Sequence, residues 1–240
     1  MSVFPAEALR ERPARRASMS AKAFGEIPTA ELLSRDSCVT KGKVVGRCDG
    51  LKPSVDFATV VGMSTIAVLG TLDTKGEEHS YVAGLIRERG HTPLLIDVGT
   101  GGAPTVTPDV SSDEVAKAAG LDLAGLLARK DRGESVAAMT HGAAAILGQL
   151  HAAGRIHGVI SLGGGGGTAI GTAGMRALPL GFPKVMVSTL ASGNVAPYVG
   201  VKDIVMFPSI VDVAGLNRLS RVLLARAAGA VCGKIGRAHV

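Results

Sequence analysis

The sequence has few aromatic residues, few cysteines and no long apolar run, and each shortage excludes a class of protein. Trp is absent and aromatic residues make up 3% of the 240 residues, so a nucleic-acid surface built on base stacking is not expected. No run of about 18 apolar residues occurs, which argues against a membrane-spanning helix. The three cysteines, Cys38, Cys48 and Cys232, match neither a disulfide framework nor a zinc spacing. We therefore expect reduced thiols and a cytoplasmic protein.

Acidic residues are too few to balance the basic ones, but the imbalance lies at the two ends. The formal net charge is +6, yet residues 1–62 hold ten Lys and Arg against seven Asp and Glu, and residues 234–240 hold two basic residues and no acidic one. Residues 63–233 are close to neutral. A basic nucleic-acid-binding surface is therefore not expected in the middle of the chain.

The two ends also differ from the middle in pattern. Residues 1–62 show no sustained helical or strand period, and an apolar strand begins just after Met63. We expect Met63 to be the natural start and residues 1–62 to be a non-native or disordered leader; a partly ordered basic arm is the alternative. Residues 234–240 read like a translated sequencing adapter. The sequence thus predicts one nucleotide-binding half-domain, residues 63–233, in a truncated chain that lacks a carboxy-terminal half.

Between these ends, short apolar strands alternate with helices. Strands are predicted at 66–71, 92–97, 157–162, 184–189 and 203–207. Helices are predicted at 77–89, after a capping box at Ser111 and Glu114, and at 121–129, 134–153, 168–177 and 216–230. Continuous apolar strands that alternate with helices indicate an α/β, Rossmann-like, doubly wound fold, with a mainly parallel sheet of about five strands and helices on both faces. In such folds ligands bind at the carboxyl ends of the strands.

A run of glycines follows the third predicted strand and opens a helix. It comprises Gly163, Gly164, Gly165, Gly166 and Gly167, and Thr168 follows it. Glycines permit positive φ angles and carry no Cβ, so their N–H groups can form an anion-binding nest beside the helix dipole. The run is not a Walker A loop, because no Gly-Lys-Ser/Thr follows. We expect these six residues to bind phosphate; a tight turn for close helix–strand packing is the alternative.

Two further segments at strand ends carry polar side chains. Thr71, Asp73, Thr74 and Lys75 follow the first strand. Thr74 and Glu77 have capping-box spacing, which leaves Lys75 as a phosphate counter-charge and Asp73 as a partner of Mg²⁺ or a hydroxyl. Thr189, Ser192, Gly193 and Asn194 follow the fourth strand and suit a ribose, a base edge or a phosphate, with a plain loop as the alternative. A nucleophilic Ser192 is not favoured, because no Gly-x-Ser-x-Gly surrounds it.

Other polar residues carry weaker signals. Asp97 ends the second strand, where dinucleotide folds place a ribose-binding acid, but the preceding turn is not the glycine-rich one. Asp212 and Asn217 either line the site or cap the last helix. The histidines show no metal spacing, so no metal site is predicted and surface or capping positions are expected for them; these are His79, His91, His141, His151 and His157.

Four motifs in order resemble one family. They are GTLDTKGEE at 70–78, LGGGGGT at 162–168, STLASGN at 188–194 and FPSIVDVAGLN at 207–217. Together they resemble the Tm-one-like ATP-binding domain family, whose bacterial members were long uncharacterised. The resemblance covers Met63 to about Val231. It implies a Rossmann-like fold of two α/β halves with ATP as ligand, and nucleotide contacts from the three polar segments named above.

The function expected from the sequence is therefore ATP binding, with Mg²⁺ as a companion ion. No general base is evident, so turnover is not predicted. If the protein is an enzyme, Mg²⁺-assisted phosphoryl chemistry is expected, with Lys75 and the glycine amides stabilising charge. The alternatives are a non-catalytic ATP-sensing module and an NAD-dependent oxidoreductase domain. Exposed sheet edges make self-association a further expectation.

Overall fold

The computed structural model describes residues 38–40, 43–45 and 63–235 of the chain. The chain divides into two compact units, residues 1–55 and 56–240. In the first unit, strands β1 (Cys38–Thr40) and β2 (Lys43–Val45) pair antiparallel, with Val39 opposite Val44. The predictions made for the rest of residues 1–62 and for residues 236–240 lie outside the described residues.

The second unit is built on a sheet of five parallel strands. They are β3 (Thr65–Gly70), β4 (Thr92–Asp97), β5 (Gly158–Gly163), β6 (Lys184–Ser188) and β7 (Val205–Pro208). Their order is β4-β3-β5-β6-β7, and Leu69 of β3 pairs with Ser161 of β5. The chain moves outward from β3 to β4 and then returns past β3 to β5. The topology therefore reverses between β3 and β5, which is where doubly wound folds bind ligands.

Helices cover both faces of this sheet. They are α1 (Leu72–Glu88), α2 (Ser112–Ala118), α3 (Leu123–Ala128), α4 (Arg132–Ala152), α5 (Gly165–Ala177), α6 (Ala196–Val199) and α7 (Arg218–Ile235). Alternate residues of β3 enter two cores: Ala67 and Leu69 pack with α4 and α5, whereas Ile66 and Val68 pack with α1 and α7. The predicted doubly wound α/β fold is confirmed.

Glycines bring α5 close to its neighbours. A Cβ at Gly174 would lie 2.7 Å from Leu147 Cδ1 of α4, and a Cβ at Gly171 would press on the Ser161 side chain of β5. Each glycine in a helix interior costs roughly 1 kcal/mol relative to alanine. Close packing of α5 between the sheet and α4 offsets that cost, because the helix could not approach so closely with larger side chains.

Most element types follow the sequence prediction, and the differences lie at the ends. The capping box is confirmed: Ser111 Oγ accepts from Glu114 N, and the Glu114 carboxylate accepts from Ser111 N. Helices α1 and α5 begin earlier than predicted, and α6 was not predicted. Lys234 and Ile235, set apart in the sequence analysis, continue α7, and Ile235 is buried. None of the helices in the described part of the chain is long and apolar enough to cross a bilayer.

Candidate functional site

A cavity of about 720 Å³ opens at the carboxyl edge of the sheet, where the topology reverses. Segments following β3, β4 and β5 line it, and residues from the junction of α3 and α4 form its remaining wall. Cavities of about 300–1,000 Å³ hold ligands of nucleotide or drug size. Two of these segments, residues 71–75 and the glycine run, were expected at the site from the sequence.

The start of α5 forms the barest part of the cavity wall. Gly164 is the N-cap residue, and no side chain caps the helix. The N–H groups of Gly165, Gly166 and Gly167 have no hydrogen-bond partner among the described residues. A Cβ added at Gly165 would meet nothing within 4 Å. This helix start therefore presents unpaired amides to an open space, the arrangement that binds anions at helix N-termini.

The backbone of the glycine run is a regular helix start and not the nest described above. None of the five has a positive φ angle, because three of them belong to the regular first turn of α5. Gly163 is required for packing, since its Cβ would lie 2.7 Å from Gly167 Cα. The positive φ angles that glycine permits are not used in this run, and the alternative reason for the run, close helix–strand packing, applies at Gly163.

Thr168 lies beneath this turn and does not line the cavity. It is fully buried, and its hydroxyl bonds to Ser188 Oγ at 2.7 Å and to the Gly163 carbonyl oxygen at 3.4 Å. Ser188 Oγ also accepts from Leu190 N. The Thr168 hydroxyl therefore ties α5 to the ends of β5 and β6, rather than facing a phosphate as predicted.

The start of α1 is held by carboxylates. Asp97 is buried, and its Oδ1 accepts hydrogen bonds from Leu72 N at 3.0 Å and Gly99 N at 2.8 Å. Burial raises the pKa of Asp97, although those two amides oppose the rise. Asp73 lines the cavity, but its Oδ2 accepts from Gly101 N at 2.7 Å. Asp97 therefore fixes the backbone at the site instead of facing a ribose, and Asp73 holds the loop after β4.

The predicted capping box at Thr74 and Glu77 is wrong. Helix α1 begins at Leu72 with Thr71 as its N-cap residue, because Leu72 is fully buried in the core and its amide is held by Asp97. The Thr74 hydroxyl bonds to Thr71 Oγ1 at 3.1 Å and to Asp73 Oδ1 at 3.3 Å. Thr71 and Thr74 both line the cavity, so their hydroxyls lie beside the space for a ligand.

Lys75 lines the same cavity from a kink in α1. Its φ of −134° and ψ of 28° are not helical. The ring of His79 bonds through Nδ1 to the Lys75 carbonyl oxygen at 2.6 Å. Burial lowers the pKa of His79 despite this bond, the nearby Glu78 carboxylate and the Leu69 backbone. Because a carbonyl oxygen can only accept, Nδ1 is the donor in this bond. Surface or capping positions were expected for the histidines; His79 and His91 are not at the surface, since both are buried.

The wall at the junction of α3 and α4 was missed by the sequence analysis. It contributes Leu127, Lys130, Asp131 and Arg132, and Ser135 and Val136 from the next turn. Asp131 caps α4 by accepting from Glu134 N at 2.9 Å. Lys130 has a positive φ of 53°. These residues lie at a helix start and not at a strand end, so only the Asp131–Glu134 capping pattern could have indicated their position.

The segment after β6 lies beside the cavity without lining it. Thr189 Oγ1 lies 3.8 Å from where a Gly164 Cβ would be, and Ser192, Gly193 and Asn194 are exposed. Asn194 Oδ1 accepts from Ala196 N at the start of α6. The loop after β4, Val98–Gly102, takes the place in the cavity expected for this segment.

Two residues of the last motif have local backbone roles. Asn217 Oδ1 accepts from Leu219 N and Ser220 N, both at 2.9 Å. Asp212 Oδ1 lies 3.4 Å from Ala214 N. Of the two roles left open by the sequence, Asn217 therefore caps the last helix, and neither residue lines the main cavity.

The cavity favours anions. The cations Lys75, Lys130 and Arg132 line it and form no ion pair with another described residue. Its two carboxylates, Asp73 and Asp131, accept backbone hydrogen bonds. Three helices, α1, α4 and α5, begin at its wall, and each helix start carries a partial positive charge. No histidine or cysteine is among the residues that line it.

Comparisons with known proteins are consistent over the second unit. Residues 64–239 match the model of the Uncharacterised protein family (UPF0261) N-terminal domain. UPF0261 protein RA0729 of Rhizobium meliloti (strain 1021) is 52% identical over 175 residues, which are 73% of this chain and 43% of that protein. A UPF0261 protein of Clostridium tetani (strain Massachusetts / E88) is 48% identical over 170 residues, covering 71% and 42% of the two chains.

A plant protein is also similar. The ToMV susceptible protein tm-1(GCR26) of Solanum lycopersicum is 41% identical over 104 residues, which are 43% of this chain and 14% of that protein. This chain spans less than half the length of each of these three relatives. The family resemblance inferred from the four motifs is confirmed, and the chain belongs to the uncharacterised protein family UPF0261, whose N-terminal domain it carries.

Proposed function

We propose that this domain binds ATP in the cavity between the starts of α1 and α5, with the phosphates on the amides of Gly165–Gly167. The observation that carries the proposal is the uncapped start of α5, whose unpaired amides face open space beside Lys75. Phosphate oxygens are suited to this position because they accept hydrogen bonds and complement the helix dipole. The resemblance of the four motifs to the Tm-one-like ATP-binding domain family also favours ATP as the ligand.

The rest of the cavity supports a ligand larger than phosphate alone. Val98, Leu127, Val136 and Ile170 give it apolar surface, and Leu127 is a large hydrophobic residue left 40% exposed. A nucleoside can cover such surface while its phosphates lie on α5. Mg²⁺ would enter with the phosphates, and the hydroxyls of Thr71 and Thr74 lie on the same side as Asp73.

The cavity favours a binding role over catalysis by this domain alone. Its two carboxylates are engaged with backbone amides, and no histidine or cysteine lines it. General base catalysis needs a free acceptor near the reacting group. We therefore propose an ATP-binding module of a cytoplasmic protein, and we keep ATP-driven regulation as the second candidate function. An NAD-dependent oxidoreductase finds no support here, because Asp97 is buried and bonded to backbone amides.

The test is thermal unfolding of the full chain with ATP, ADP or NAD, each with Mg²⁺, for the parent and for Gly165→Val. A ligand at 100 times its Kd adds about 2.7 kcal/mol to the free energy of unfolding, which is a rise of roughly 5–10 °C in Tm for a domain of this size. The valine side chain finds open space in the fold but occupies the proposed phosphate position. We expect ATP and ADP to raise the Tm of the parent chain and to leave the Tm of Gly165→Val unchanged.

Gly148→Val is the matched control. Gly148 lies in the interior of α4, its Cβ would also meet nothing within 4 Å, and it does not line the cavity. This variant should keep the full ATP response. Equal ATP protection of the Gly165→Val variant would contradict the placement of phosphate on α5, and protection by NAD alone would contradict the choice of ATP. Phosphate released by ATP hydrolysis, measured in the same samples, distinguishes a catalytic domain from a regulatory one.

A further inference from the structure

The kink in α1 has an identifiable cause on one side of the helix. The Leu72 carbonyl oxygen accepts hydrogen bonds from Thr105 N and Thr105 Oγ1, both at 2.9 Å. In a regular helix that oxygen would bond to the amide of Gly76. A Cβ at Gly76 would collide with the Thr105 hydroxyl. Thr105 therefore enters the hydrogen-bond ladder of the helix at a glycine, which is a known cause of sharp kinks.

On the other side of the kink, His79 holds the carbonyl of Lys75. The His79 side chain is wholly buried, and its Nδ1 lies 2.6 Å from that oxygen. Its Nε2 has no hydrogen-bond partner among the described residues. A Cβ at Gly70, the last residue of β3, would overlap the imidazole ring. The sheet thus leaves room for this ring, and the ring bonds through Nδ1 to Lys75, one of the three cations that line the cavity.

We propose that His79 is a positioning residue that, through its bond to the Lys75 carbonyl, holds the kinked backbone that aims Lys75 at the ligand phosphates. The inference rests on the proposed ATP site. A buried imidazole that leaves one nitrogen unpaired is a costly choice for a core position. An apolar side chain would fill the same space, but the Lys75 carbonyl oxygen would lose its 2.6 Å bond to the ring.

The kink matters because Lys75 cannot keep its direction without it. A change from its φ of −134° toward the helical value near −63° rotates the Lys75 Cβ relative to the residues that precede it in α1. The Lys75 side chain would then leave the position from which it lines the cavity. Loss of the His79 bond should therefore weaken phosphate binding only as long as a lysine is present at position 75.

The experiment is a double-mutant cycle on the full chain with ATP and Mg²⁺, read as Kd by titration calorimetry. The variants are His79→Leu, Lys75→Met and the double variant. His79→Asn is the matched rescue, because its amide nitrogen can donate from near the position of Nδ1. His79→Ala repeats the deletion without steric demand if His79→Leu does not fold. Circular dichroism records the folded fraction of each variant.

We expect Lys75→Met to weaken ATP binding about 10- to 100-fold, as loss of a charge-assisted hydrogen bond does. His79→Leu should weaken it roughly tenfold, and His79→Asn about twofold or less. The double variant should bind no more weakly than Lys75→Met alone. A purely structural role for His79 would lower Tm without this dependence on Lys75.

Three results would overturn the inference. An unchanged Kd for His79→Leu would show that the bond does not affect the ligand. The same fold-change in the Lys75→Met background would show that His79 acts on something other than Lys75. An ATP affinity that Lys75→Met leaves unchanged would remove Lys75, and with it His79, from the site while leaving the glycine amides. Absence of ATP binding by the parent chain is a different result, because it overturns the proposed function itself.

Discussion

Of the three helices that begin at the cavity, α1 and α5 have first turns that are built in opposite ways. The first turn of α1 is covered with fixed bonds: Asp97 holds the Leu72 amide, Thr105 holds the Leu72 carbonyl, and His79 holds the carbonyl of Lys75. Helix α5 opens with three glycines, and no side chain caps it. Both turns follow neighbouring strands of one parallel sheet, so the difference comes from their side chains and not from their place in the fold.

The contrast indicates that the two helix starts have different roles at the site. Polar groups of α1 are bonded before any ligand arrives, so the backbone of this turn is already ordered and the Lys75 side chain is what loses conformational entropy on binding. The amides of α5 are left for the ligand, because unpaired helix-start amides gain a partner only when an anion binds. Substitution of Asp97, which holds the α1 turn, should therefore change stability first, and substitution of the glycines at the start of α5 should change binding first.

The largest effect is expected where the α1 turn is held. Asp97→Ala leaves the buried amides of Leu72 and Gly99 without an acceptor, at a cost of about 3 kcal/mol of unfolding free energy. Asp97→Asn keeps an oxygen with two lone pairs for the same amides and should cost about 1 kcal/mol or less. Urea denaturation followed by circular dichroism measures both. Equal losses for the two variants would show that the charge, rather than the acceptor, holds this turn.

The pH dependence at the same residue sharpens this test. Burial raises the pKa of Asp97 in the folded chain, so the folded state binds the proton more tightly than the unfolded state. The stability contributed by this group is therefore greatest below the unfolded pKa and falls as pH rises through the folded pKa. Asp97→Asn lacks that loss, so it should gain on the parent chain as pH rises through this window. A constant difference between the two chains across the window would contradict a raised pKa.

The next effect lies within the glycine run. Gly163→Ala places a Cβ 2.7 Å from Gly167 Cα and should cost roughly 2 kcal/mol, since backbone on both sides must shift. Gly165→Ala meets open space and should raise stability by about 0.5 kcal/mol, because alanine favours the helix. Chemical denaturation of the two single variants distinguishes them. If both destabilise the fold equally, the run is a packing device throughout and α5 is not open to a ligand.

Local patterns predicted the fold well because the fold depends on them. Strand β4 and the capping box at Ser111 are read from neighbours in sequence, and both are confirmed. The predicted start of α1 was wrong because a tertiary contact decides where this helix begins. Leu72 is buried in the core, and Asp97, 25 residues away, accepts a hydrogen bond from its amide. No local pattern contains that bond.

The site was predictable where it follows strand ends and not elsewhere. The glycine run and Lys75 follow β5 and β3, and the topology rule brought them together. The wall that includes Lys130 and Arg132 begins a helix on the far side of the cavity, so its position depends on how α4 packs against α5. His79 also could not be recognised, because its single bond depends on a kink that Thr105 creates from a loop 33 residues after Leu72.

The smallest loss of stability is expected at Thr168, and it tests whether the start of α5 binds the ligand through amides alone. Thr168 sits under the α5 turn with its hydroxyl bonded to Ser188, although the sequence suggested a contact with phosphate. Thr168→Val keeps the shape and removes that bond, so it should lower the free energy of unfolding by about 1 kcal/mol and leave the Kd for ATP within about twofold. Thr168→Ser retains the hydroxyl and should restore most of the bond's contribution to stability. Thermal unfolding and ATP titration of both variants are the measurement.

A loss of ATP affinity in Thr168→Val that exceeds its loss of stability would show that the Thr168 hydroxyl contacts the ligand. The start of α5 would then bind with a side chain as well as with bare amides, and the contrast with α1 would be one of degree.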